Sequence, residues 1–147
     1  MIEKSQKCKQ ALAFATQKHE GQTRKLGEPY ITHPIAVAEM MVEKGLSEDY
    51  IIAALFHDLL EDTDATEKEI SDIGGEAVLA AVKLLTKEQN YQMDSYIAKI
   101  KENPIARAVK LADLKHNSDL TRLDAADEKA MNRVAKYARA IAVLLEP

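Results

Sequence analysis

Apolar residues recur along this chain at intervals of three and four, the period of one helix face, and glycine and proline fall between the periodic stretches. Cys8, Leu12, Ala15 and His19 predict a first helix over about residues 5–18. Residues 21–30 read as a loop dense in polar groups. His33 and Pro34 read as a helix start, because proline suits the first turn. Ile35, Ala38, Met41 and Val42 form the buried stripe of that helix, and Gly45 closes it. Ser47 is placed to cap a third helix, with Glu48 and Asp49 near its positive end. That helix is expected to run on, apolar from about residue 51, through residue 62. Thr66 and Glu69 have the spacing of a capping box and open a short helix that Gly74 and Gly75 end.

Residues 76–86 follow as a helix with Val78, Ala81, Val82 and Leu85 inward. Tyr91 and Tyr96 flank another short one reaching about residue 102, where packing explains the tyrosines better than base stacking. Asn103 and Pro104 restart the chain as cap and first helical residue. Ile105, Val109, Ala112 and His116 then make a core stripe, which assigns His116 to the core rather than to a ligand set. Beside it runs a strip of Ala106, Lys110, Asp113 and Asn117. The last helix is expected from about residue 127 to residue 145, with Met131, Val134, Ala138, Ile141 and Leu145 as its packing face. It serves either as a lid on the core or as a contact in a homodimer. The pattern is all-α throughout.

Composition narrows the function classes. A chain of 147 residues fits one domain with a real core, and a net charge of −4 argues against a nonspecific nucleic-acid surface. A small basic pocket for one nucleotide is still compatible with that charge. The single cysteine, Cys8, has no partner within the chain for a disulfide, which fits a reducing cytoplasm. No apolar run approaches the roughly 20 residues of a membrane span, and residues 1–7 are polar where a signal peptide is apolar.

The chemistry concentrates in residues 55–62, where an apolar helix acquires His57, Asp58, Glu61 and Asp62. In a continuous helix His57 and Glu61 lie one turn apart, as do Asp58 and Asp62. Buried charge is costly unless paired, hydrogen-bonded or bound to a metal. An imidazole and a carboxylate entering a core side by side therefore suggest a divalent cation; a buried His–Asp hydrogen bond is the alternative, and the one the dipeptide alone favours. On the last-but-one helix, Asp113 has Lys110 and Asn117 one turn to either side. On a surface this would be a Lys–Asp pair of little energetic consequence.

The order His33, His57-Asp58, Asp113 resembles the HD-domain metal-dependent phosphohydrolases. A longer match resembles the hydrolase domain of the RelA/SpoT alarmone enzymes, particularly their stand-alone short relatives. Four blocks carry it: Ala13 to Ala15 with His19 to Gln22; Arg24 and Lys25 before Pro29 to Pro34; His57 to Thr63; and Lys110 to Asp113 with His116 and Asn117. The resemblance implies one HD domain over residues 1–147, a helical bundle of about eight helices. It implies that His33, His57, Asp58 and Asp113 bind one divalent metal, manganese(II), a donor set without the thiolates of a structural zinc cage. Glu61 and Asp62 would hold or deprotonate the attacking water and protonate the leaving oxygen. Arg24 would lie against a guanine ring, with Lys25 and Tyr30 near base or phosphates and Asn117 on the nucleotide. The implied reaction is hydrolysis of the 3′-pyrophosphate of (p)ppGpp to GDP or GTP and pyrophosphate. After Asn117 the run Ser118 to Arg122 follows the family only loosely, which bears on substrate more than on metal. Other readings are an HD hydrolase of another nucleotide and a non-catalytic nucleotide sensor; Glu61 and Asp62 speak against the sensor.

Overall fold

In the computed structural model residues 2–3, 5–24, 27–123 and 128–147 are described, the side chains of residues 120–123 excepted. Among them are nine helical segments: α1 Gln6–Lys18, α2 Thr32–Glu43, α3 Glu48–Phe56, α4 Leu59–Asp62, α5 Glu67–Gly74, α6 Glu76–Leu85, α7 Met93–Lys101, α8 Pro104–Leu123 and α9 Glu128–Leu145. The only β-pairing among the described residues is one isolated antiparallel bridge, Thr23 with Pro29. The fold is all-α.

α3 is the axis of the bundle. Its residues from Ile51 to Phe56 are all 0 % exposed, so it is apolar around its whole circumference, as a central helix must be. α1, α2, α5, α6 and α8 pack around it. Phe14 of α1 meets Phe56 edge to face at 5.7 Å, a geometry aromatic rings favour. Gly74 ends α5 where it crosses this axis: a Cβ there would sit 2.8 Å from Val78 Cγ1 and 3.3 Å from Ile52 Cγ2.

The helix starts follow local chemistry. Ser5 Oγ accepts from the Cys8 amide and donates to Glu48 Oε2 at 2.8 Å, joining the beginnings of α1 and α3. The capping box of Thr66 and Glu69 is formed in both directions. Asn103 Oδ1 accepts from the Ala106 amide at the head of α8.

Three expectations need correction. Ser47 stands at the N-cap of α3, but its side chain makes no capping bond; Glu48 and Asp49 supply the negative charge of the first turn instead. The expected continuous helix through residue 62 breaks at His57 and Asp58, which separates α3 from α4. The cause is the Ala54 carbonyl, which a continuing helix would give to the Asp58 amide. His57 Nδ1 donates to it at 2.7 Å, and Asp58 turns out of helical geometry at φ −119°, ψ 10°. Finally, α9 is rotated from its expected face. Ala130, Ala140 and Leu144 are buried, with Tyr137 and Ile141 packed beside them, while Met131 and Leu145 are 61 % and 64 % exposed. α9 lies on α7 and α8; its expected start at residue 127 lies outside the described residues.

Candidate metal centre

Three elements bring their polar groups to one buried point. The first turn of α2 supplies His33, the break between α3 and α4 supplies His57 and Asp58, and the middle of α8 supplies Asp113. All four are buried. His33, His57 and Asp58 each offer a donor atom, and those atoms lie within 4.8 Å of one another. Asp113 Oδ1 lies 2.7 Å from His33 Nε2 and 3.4 Å from His57 Nε2. His57 Nε2 is 3.7 Å from Asp58 Oδ2.

The helix break matters to the chemistry as well as to the fold. A carbonyl only accepts, so His57 carries a proton on Nδ1 and its Nε2 faces the carboxylates. Such a contact fixes the orientation of a ligating imidazole. Burial disfavours charge on His57, but Asp58 and Asp113 outweigh it and push its pKa up to about 9. Burial likewise raises the two carboxyl groups. Asp58 is nevertheless held below the ordinary range by His57, His19 and Tyr30. Asp113 is held well below it by Lys110 and His57. For His33 burial wins, and its pKa is lowered. The cluster therefore holds two carboxylates kept charged by the positive groups around them, chiefly His57 and Lys110.

The residues present fit a divalent cation. The donors are imidazole nitrogen and carboxylate oxygen without thiolate, a set suited to a borderline or hard ion. Asp58 Oδ1 is buried without a hydrogen bond, the condition of a ligand oxygen awaiting a partner. Cys8, the one thiol, is buried in the core on α1.

A second layer surrounds these four. The Tyr30 hydroxyl donates to Asp58 Oδ2 in a short bond, so this side chain, expected near a base or phosphate, braces a carboxylate. His19 Nδ1 meets Gln22 Oε1 at 2.9 Å, and Gln22 Nε2 donates to the Asp62 carbonyl at 3.0 Å. The other nitrogen of His19 approaches Asp58 Oδ1 at 3.3 Å, without hydrogen-bond geometry. His116 leaves the core role expected for it: its ring stacks on His33 at 4.9 Å and the two Nδ1 atoms are 2.7 Å apart. Lys110 is buried and donates to Asp113 Oδ2 at 3.1 Å, so the Lys–Asp pair is not a surface one. His19 and Lys110 were missed as site residues because each sits at a helical spacing that a core or a solvated strip explains equally well. The signal available was adjacency: His19 lies within the first matching block and Lys110 one turn before Asp113.

The remaining expected residues divide. Glu61 and Asp62 lie on α4, one turn beyond the cluster. Glu61 Oε1 accepts from the Lys87 amide at 2.7 Å, which turns it toward the segment between α6 and α7. Asp62 has its pKa raised by burial and by the charges of Asp58 and Glu61. Arg24 lies over the Tyr30 ring at 5.6 Å and its Nη2 donates to Asn117 Oδ1 at 3.4 Å; Nη1 is buried without a partner. Asn117 Nδ2 in turn donates to Asp113 Oδ1 at 3.2 Å. The loop of residues 21–30 is thereby joined to α8 beside the cluster. Lys25 lies outside the described residues.

Comparison with known proteins agrees with this architecture. The chain is 41 % identical over 117 residues to the guanosine-3′,5′-bis(diphosphate) 3′-pyrophosphohydrolase of Aquifex aeolicus, covering 74 % of this chain and 17 % of that protein. It is 44 % identical over 81 residues to the bifunctional (p)ppGpp synthase/hydrolase SpoT of Escherichia coli, covering 55 % of this chain and 12 % of that protein. The chain thus spans less than a fifth of the length of these curated relatives. A solved structure described as a metazoan ortholog of SpoT that hydrolyzes ppGpp superposes with a TM-score of 0.79 at 25 % identity, over 97 % of this chain and 86 % of that one. Residues 11–141 match the family model of the HD domain, and the chain belongs to the HD-domain family.

Proposed function

We propose that this chain is a cytoplasmic HD phosphohydrolase that uses one divalent metal, manganese(II), to hydrolyse the 3′-pyrophosphate of (p)ppGpp. The observation that carries the reading is the buried convergence of His33, His57, Asp58 and Asp113 from three separate elements. Imidazole and carboxylate donors gathered inside a core suit a divalent ion, Asp58 Oδ1 has no hydrogen-bond partner there, and the relatives named as pyrophosphohydrolases support the substrate class.

The bound ion would polarise a phosphoryl oxygen and make a water nucleophilic near neutral pH. The side chains do the rest. His33, His57, Asp58 and Asp113 hold the site in register, with Tyr30 fixing the Asp58 carboxylate. Asp62, its basicity raised by burial and by its acidic neighbours, takes a proton from the water as it adds to the phosphorus attached to the 3′ oxygen. Glu61, oriented by the Lys87 amide, shares the handling of that proton and its return to the departing 3′ oxygen. The P–O3′ bond breaks, leaving GDP from ppGpp or GTP from pppGpp, and pyrophosphate. Arg24 offers the face of its guanidinium to guanine, and Asn117 contacts the nucleotide from α8.

Turnover by manganese-reconstituted protein on a panel of ppGpp, GTP and dATP tests the assignment. Strong preference for ppGpp with release of pyrophosphate is expected. Equal turnover of all three overturns the alarmone assignment and leaves a general HD phosphohydrolase.

A further inference from the structure

Asp113 is the most heavily engaged carboxylate of the cluster, and its two oxygens face different groups. Oδ1 meets His33 Nε2 at 2.7 Å and His57 Nε2 at 3.4 Å, and accepts from Asn117 Nδ2. Oδ2 accepts from Lys110 Nζ at 3.1 Å. A carboxylate is symmetric about its Cβ–Cγ bond, so only its neighbours decide which oxygen is turned to the imidazoles. Lys110 is one helical turn before Asp113 on α8, and it is 7 % exposed. Its ammonium lies 5.2 Å from the centroid of the Tyr96 ring, within cation–π range. Tyr96 is itself buried, and its hydroxyl donates to the Leu85 carbonyl at 2.6 Å at the end of α6. Lys110 is therefore enclosed between Asp113 and Tyr96 of α7, which lies against its ammonium.

A buried ammonium is costly without a partner, and a lone Lys–Asp pair is seldom more stabilising than an apolar pair of the same volume. Its use is better sought in orientation. We propose that Lys110 is a positioning residue: by occupying Oδ2 on the Tyr96 ring, it aims Asp113 Oδ1 at the cation site between His33 and His57. The inference rests on the metal reading given above.

Lys110→Met removes the ammonium and keeps an unbranched side chain of similar length. Manganese affinity, measured by competition with a chromophoric chelator, should fall about 10- to 100-fold, the range seen when an outer partner of a ligand is lost. Helical content should be retained. Wild-type affinity in Lys110→Met overturns the positioning role and leaves the metal reading intact. No metal binding by the wild type overturns both. If Lys110→Met does not fold, the wild type supplies the readout: the ¹⁵N ammonium resonance of Lys110 should be protected from exchange and should move when zinc is added. A resonance that stays in place overturns the proposal.

Discussion

At the scale of single residues, the proposed roles of holding a metal and moving a proton fall to different side chains. His57 faces Asp58 and Asp113 directly, whereas Asp62 lies a turn further on with its carboxyl raised by burial and by Asp58. Asp62→Asn is therefore expected to lower kcat about 10²- to 10⁴-fold, the usual contribution of a positioned acid or base, with metal content unchanged. His57→Ala should lose the metal itself. Equal metal loss in both variants, measured by elemental analysis after dialysis, would make Asp62 a ligand and remove it from proton handling. The meeting of His33, His57, Asp58 and Asp113 was legible because their order and types along the chain form the pattern on which the family resemblance rests. The residues that brace them were not. A histidine at a helical spacing, as His19 and His116 are, is read from sequence as core, and a lysine one turn before an aspartate as a surface pair. Their contacts in the folded chain, with Asp58, His33 and Asp113, reveal that these groups face the cluster.

At the scale of elements, starts and stops were readable because they are local. Ser5, Thr66 and Asn103 cap helices with their own side chains within three residues, and such bonds depend on little else. The break after Phe56 was not readable, since a run of apolar residues followed by acids continues a helix by propensity. It required a side chain to capture the Ala54 carbonyl, which His57 does with the same nitrogen that fixes its ring. One element contact makes a clear prediction. Gly74 packs so closely on Val78 and Ile52 that a methyl group would lie 2.8 Å from a branched side chain with little freedom to move. Gly74→Ala should destabilise the protein by about 1–3 kcal/mol, the range for overpacking a core. Chemical denaturation reads this directly, and an unchanged or raised midpoint would mean that α5 and α6 can separate without loss.

At the scale of the whole molecule, the site ties together segments far apart in the chain. The Asp113 side chain is 80 residues from His33, and Arg24 reaches Asn117 across 93. α2, the α3–α4 break and α8 all pack on the same core, with α9 laid over α7 and α8. A cation shared by groups from three elements binds the folded arrangement and finds no preformed site in the unfolded chain. Its binding must therefore stabilise the fold by mass action. At a free manganese concentration of one hundred times Kd the gain is about 2.7 kcal/mol. For a chain of this size that corresponds to a rise of roughly 5–11 °C in melting temperature. Chelation should reverse the rise. His57→Ala should melt at one temperature with or without the ion, which separates specific binding from a general salt effect. A melting temperature insensitive to manganese in the wild type would mean that His33, His57, Asp58 and Asp113 meet as a proton-linked network alone, and would remove the basis for hydrolysis by this chain.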